Sequence, residues 1–166
     1  MGQQLLIQNG NTVFEPVVQD GVTWTTERKG AAGKLEFKVL KDNIISFEEG
    51  NPVAFKVDNT NLFYGFVFRK KRDKEQIIKT TAYDQLRYLK NKDTRVYVNK
   101  RADEVVRSIA SDFQLNVGML ENTGYVIAKK TESNQSLFDI ILNALLSLKV
   151  SIISYFDKKC LYFFHI

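Results

Sequence analysis

The chain has 166 residues, 44% of them hydrophobic and 26% charged, a balance that suits one ordinary globular domain or two small ones. Twenty-four Lys and Arg against 19 Asp and Glu leave a net charge of +5, and because the signs alternate along much of the chain the excess reads first as solubility. The lone Cys160 excludes an intrachain disulfide and a cysteine zinc site; no apolar run is as long as a membrane span, and MGQQLLIQNG lacks a signal-peptide pattern, which predicts a chain kept in the cytoplasm.

Leu5 to Gln8 and Thr12 to Pro16 are strand-like runs separated by Asn9, Gly10 and Asn11, which predicts a hairpin. Val22 to Glu27, rich in Thr and holding the only Trp, Trp24, reads as a third strand, followed by a flexible connection through Gly30 and Gly33. Leu35, Phe37 and Val39 alternate with charged residues, and Val53, Phe55 and Val57 repeat the pattern after a loop over 44–50. Leu62 to Phe68 is apolar at every position except Gly65, so both faces of this strand call for cover; Arg69, Lys70, Lys71 and Arg72 carry it into water. Asp73 and Lys74 suit a turn, and Gln76 to Ala82 read as the antiparallel return. Tyr83, Leu86, Leu89 and Lys90 then fall at helical spacing, with Leu86 expected in a buried seam.

From Val96 the composition turns toward helix. Val105, Val106, Ile109, Ala110 and Phe113 form one stripe of an amphipathic helix over 102–113, with Arg101 where a capping residue is preferred and Asn99 as the nearest substitute. Leu115 to Val117 and Tyr125 to Ala128 suggest short extended pieces. Ser136 and Asp139 open a second helix to about Leu148, apolar around most of its circumference and so expected to be buried on more than one side. Ser151 to Phe156 and Cys160 to His165 read as closing strands, and Tyr162, Phe163 and Phe164 make an apolar edge that calls for a partner. The domain division expected is 1–92 and 93–166: a mainly β unit, sandwich or barrel, then a small α+β unit of two helices on a short sheet.

Catalytic chemistry has little to stand on. The one histidine, His165, is next to the last residue, Glu48 and Glu49 are adjacent rather than facing, and Gly30 to Gly33 lacks the spacing of a phosphate loop. No metal site or cofactor is expected. The basic run Arg69 to Lys74 after aromatics is the best argument for nucleic acid; a plain charged hairpin tip, or else a loop that meets acidic neighbours in an assembly, is preferred to it.

AYDQLRYLKNKDT, from Ala82 to Thr94, resembles the signature of PBSX-type prophage tail proteins, the XkdQ and YqbQ-like family. GKLEFKVLKD (Gly33–Asp42), SFEEGNPVAFKVD (Ser46–Asp58), FYGFVFRKKRD (Phe63–Asp73), DFQLNVG (Asp112–Gly118) and SLFDIILNAL (Ser136–Leu145) continue the resemblance in order. It implies a tail-tube-like β-barrel or partial barrel in the first unit, and a non-enzymatic role in the baseplate hub of a contractile tail. The hub joins tail tube to central spike, within a virion or tail particle assembled in the bacterial cytoplasm. It implies a homotrimeric ring in contact with tube, spike and other baseplate proteins, and leaves room for a separate chain that completes the hub. On that reading Phe63, Tyr64, Phe66, Phe68, Arg69, Lys70, Lys71, Tyr162, Phe163 and Phe164 belong to subunit interfaces. Tyr83, Asp84, Leu86, Arg87, Tyr88 and Leu89 form the signature helix. The rival functions are a hub-associated cell-wall hydrolase and a nucleic-acid-binding barrel.

Overall fold

The computed structural model describes residues 2–27, 30–73 and 76–147, and the chain divides into two compact units, Met1–Arg87 and Tyr88–Ile166. The expected closing strands and the Tyr162, Phe163 and Phe164 edge lie outside the described residues, as do Lys74 and His165.

The first unit is one antiparallel sheet of seven strands curled into a half-barrel. In chain order these are β1 (Gln3–Asn9), β2 (Thr12–Phe14), β3 (Val18–Thr25), β4 (Lys34–Leu40), β5 (Pro52–Val57), β6 (Thr60–Arg72) and β7 (Ile77–Tyr83). In space they run β2-β1-β5-β6-β7-β4-β3. Alternation decides which side chains meet. Leu5 and Ile7, Leu35, Phe37 and Val39, Val53 and Phe55, Phe63 and Val67, Ile78 and Ala82 all lie on one face and form a single core. The loop between β4 and β5 adds Ile45 and Phe47 to that core. Asp42 turns this loop by accepting hydrogen bonds from the Ile45 and Ile44 N–H groups at 2.6 and 2.8 Å, which hold its carboxyl below the ordinary range.

Three irregularities interrupt the sheet, one of them between β5 and β6, where Phe55 pairs with Phe63 and Lys56 with Asn61 so that Leu62 is passed over. In β3 the pairing with β4 skips between Gln19 and Val22, where Asp20 and Gly21 have φ of 60° and 80°. This bulge interrupts an edge strand that would otherwise be a long template for pairing. In β6 the pairing with β7 skips between Val67 and Arg69, leaving Phe68 as the extra residue. Upstream of it, Phe63 and Val67 point to the core; downstream, Lys70 stands opposite buried Thr80.

The second unit has a two-stranded antiparallel sheet, β8 (Lys92–Arg101) with β9 (Val126–Ser136), each strand running without a loop into a helix, α1 (Ala102–Asp112) and α2 (Leu137–Leu146). Sequence reading anticipated both helices but not β8, whose apolar Val96 and Val98 are exposed, so no hydrophobic alternation marks it. Leu115 to Val117 is not a strand. Arg101 is the N-cap of α1, and the N3 residue Glu104 compensates by accepting from the Arg101 N–H at 2.8 Å. Ser136 caps α2 as expected, its Oγ accepting from the Asp139 N–H at 3.1 Å. The expectation that α2 is buried on several sides is corrected: Leu137, Ile140 and Ala144 are buried, whereas Leu142 and Leu146 are exposed.

Candidate assembly surface

The outward side of β6 is where the sequence signal is densest. Leu62, Tyr64, Phe66 and Phe68 alternate with the core-facing residues, and Leu62, Tyr64 and Phe68 remain 36%, 36% and 54% exposed. The expectation that both faces of this strand are covered is therefore met on one side only. Phe63, expected at a subunit interface, is a core residue at 5% exposure, because the strand period of two sends it to the opposite face from Tyr64.

The exposed rings are ordered by one another. Tyr64 meets Phe66 edge-on at 5.9 Å between centroids, and Phe68 meets Tyr83 edge-on at 5.2 Å. Arg87 lays its guanidinium over both Phe68 (5.1 Å) and Tyr83 (5.5 Å). Gly65 makes the close strand approach possible. A Cβ there would lie 2.2 Å from the Tyr83 carbonyl oxygen and 2.7 Å from Phe63 Cζ, so the place of a side chain is already filled.

The signature run is not an α-helix beginning at Tyr83. Tyr83 is the last residue of β7, and a 3-10 helix follows over Gln85–Lys90. Asp84 organises the change. Its Oδ1 accepts from the Leu86 N–H at 3.0 Å and its Oδ2 from the Gly33 N–H at 2.8 Å. Burial pushes the Asp84 carboxyl up, and the hydrogen bonds from Gly33 and Leu86 only partly oppose it. Leu89 is fully buried while Leu86 is half-buried, so the seam expected at Leu86 is at Leu89. Tyr88 is 46% exposed and stacks on Phe113 at 6.0 Å.

The basic run separates into two roles. Arg69 and Lys71 are exposed, but Lys70, expected at an interface, serves the fold: its Nζ donates to the Phe47 carbonyl and lies 5.7 Å from the Phe47 ring centroid. The Lys70 N–H also donates to Glu49 Oε1 at 3.2 Å; Glu49's own N–H first, and this bond second, lower that carboxyl's pKa. The bulge at Phe68 is the reason, since it shifts the phase of every later residue by one.

Across β4, β7 and β6, Lys38 stands opposite Lys79, and Lys79 opposite Lys71, a row of three ammonium groups on adjacent strands. Lys38 is drawn to Asp20 at 2.7 Å, which raises its pKa, and Lys79 reaches Asp73 at 3.9 Å. Lys71 has no carboxylate partner among the described residues. This row was not seen in the sequence, because it depends on strand register rather than spacing.

In the second unit the buried acids are accounted for internally. Asp103 accepts from Arg101 through Nε and Nη2 (3.0 and 3.1 Å) and from Thr123 through N–H and hydroxyl (3.3 and 3.1 Å). Burial raises its pKa, yet these contacts outweigh burial and the carboxyl is held below its ordinary value. Glu132 is met by Lys130 at 3.2 Å, Asn143 at 3.1 Å and the Tyr97 hydroxyl at 3.4 Å. Burial first, and Glu132 second, push the Tyr97 phenol up to about 12. Among the described residues no group of three or more His, Cys, Asp and Glu converges on a possible metal position, and no helix is long and apolar enough to cross a membrane.

Comparison with known proteins accords with this architecture. The chain is 39% identical over 135 residues to the uncharacterised protein YqbQ of Bacillus subtilis strain 168. It is 44% identical over 141 residues to the phage-like element PBSX protein XkdQ of the same organism. These matches take in 80% and 81% of the chain but only 41% and 43% of the relatives, so the chain spans less than half the length of either. Two solved structures share the fold at 10% identity. The 43 kDa tail protein of prophage MuSo2 from Shewanella oneidensis has a TM-score of 0.71 over 89% of this chain and 49% of its own. A tail protein from Neisseria meningitidis MC58 has 0.67 over 87% and 46%. The model of the YqbQ-like family matches residues 22–155, and the chain belongs to that family.

Proposed function

We propose that this chain is a structural component of a phage tail or phage-tail-like particle, working in the baseplate hub that joins the tail tube to the central spike. The observation that carries the reading is the half-barrel with its open sides. Its edge strands β2 and β3 have no outer neighbour among the described residues, and in the outward stripe Leu62, Tyr64 and Phe68 stay exposed although Tyr83 and Arg87 pack on Phe68. Burying each exposed aromatic is worth about 1.5–3 kcal/mol, so assembly is favoured wherever a complementary surface is offered. The family relationship to XkdQ and the fold shared with two tail proteins support the same reading. In a ring of three copies, the open edges and the stripe would meet other copies, the tube, the spike or a further hub chain. No turnover is required for this role, which is mechanical.

Tail particles released after induction of the host's prophage, labelled with gold-tagged antibody against this chain, test the proposal. Label confined to the baseplate end is the expected result. Label along the tube or sheath, or particles free of the chain, would overturn it.

A further inference from the structure

We infer that the outward face of β4, β7 and β6 is a docking surface for an acidic protein partner, one presenting carboxylates beside an apolar ridge. This rests on the assembly role proposed above and names the chemistry of the partner. The face has two halves in register. At one end Phe66 stands opposite Tyr83, with Phe68 and Arg87 packed against Tyr83, and Tyr64 extends the rings along β6. At the other end Lys38, Lys79 and Lys71 stand side by side, with Arg69 between them and the rings.

Like charges directly opposite one another on a sheet are destabilising, so this row works against the isolated fold. Asp20 and Asp73 offset part of the repulsion at its Lys38 and Lys79 positions. Lys71 and Arg69 are left facing solvent, an unmatched positive charge next to an exposed apolar stripe. A partner with the opposite charge beside its own apolar residues satisfies both halves at once.

Protein fits better than nucleic acid for two reasons. The rings meet edge-on in pairs and Arg87 lies over Phe68 and Tyr83, so they form a packed ridge rather than a row of separate flat platforms for bases. Carboxylates also lie within the basic area, Glu36 beside Lys34 at 2.9 Å as well as Asp20 and Asp73; a continuous phosphate backbone would have to run past them, whereas a folded partner can set its carboxylates opposite Lys71 and Arg69 alone.

The test uses the full chain in two forms. Lys71→Gln removes one repulsive contact without breaking an ion pair, so the free chain should melt about 1–2 °C higher. Lys71→Glu with Lys79→Glu, restored to a prophage lacking the gene, should lower the number of assembled tails about tenfold while the purified variant keeps its circular dichroism spectrum. Suppressors that restore assembly should exchange Asp or Glu for Lys or Arg in another tail protein. Normal assembly by the double variant, in particles that contain it, would overturn the docking surface and leave the hub reading standing. Wild-type chain missing from particles would remove the hub reading itself and the inference with it. Salt-sensitive retention of wild-type chain on DNA-cellulose, lost in the double variant, would assign the lysines to nucleic acid and also overturn the inference.

Discussion

Asp84 and Gly33 hold each other twice: the Gly33 N–H donates to Asp84 Oδ2 at 2.8 Å, and the Asp84 N–H donates back to the Gly33 carbonyl at 3.1 Å. The pair fastens the start of β4 to the point where β7 gives way to the 3-10 helix. A Cβ on residue 33 would lie 2.6 Å from Asp84 Oδ2, so glycine is what admits the carboxylate. Asp84→Ala strips acceptors from two backbone donors, on Gly33 and Leu86, and should destabilise the protein by about 2 kcal/mol. Urea unfolding of the variant is the measurement, and an unchanged midpoint would show the link to be ornamental.

Acid should separate Asp84 from Asp103, whose shifts have opposite sign. The Asp84 pKa is raised from 3.8, so the folded state holds its proton more tightly and wild type gains stability relative to Asp84→Asn as pH falls through the raised value toward 3.8. The Asp103 pKa is lowered from 3.8, so its contribution is present above 3.8 and is lost as pH falls through the folded value. The advantage of wild type over Asp103→Asn should therefore shrink in acid. Melting temperatures of the three proteins between about pH 2 and 6 give the signs directly.

Gly65→Ala tests the close approach of β6 to β7. With the Tyr83 carbonyl 2.2 Å from the new methyl and Phe63 Cζ at 2.7 Å, backbone must move as well as a ring. The expected loss is about 2–4 kcal/mol, together with altered packing of the Phe68–Tyr83 pair on the outer face. Near-ultraviolet circular dichroism reads the second effect; a wild-type spectrum with wild-type stability would show that the strands part without cost.

Leu89→Ala should cost about 2–5 kcal/mol, because the side chain is fully buried, and Leu86→Ala clearly less. Paired denaturant titrations decide the order. Equal losses would place Leu86 in the core after all.

Why that order was hidden is instructive about the whole chain. The strands of the first unit were legible because each buries one face, so Leu35, Phe37 and Val39 or Val53 and Phe55 print their alternation directly. The run after Tyr83 shows apolar residues at a spacing that α and 3-10 helices share over one or two turns, and only the Asp84 bonds to Gly33 and Leu86 fix which forms. β8 was missed because Val96 and Val98 face outward and Tyr97 alone is buried. The aromatic density of β6 was legible but not which of Phe63, Tyr64, Phe66 and Phe68 faces outward, and the lysine row was not legible at all, since register joins residues that lie far apart in the chain.

The extra residue at Phe68 acts as a frameshift written in space. Upstream and downstream of it, β6 reads its alternation in different phases, so Lys70 is kept for the loop that holds Phe47 while Lys71 is left for neighbours. Removing that one residue would exchange the faces of the two lysines while leaving both in the strand, turning a clasp into a contact and a contact into a clasp. A lineage can thus retune what this surface offers by a single insertion or deletion, with the core residues Phe63 and Val67 untouched.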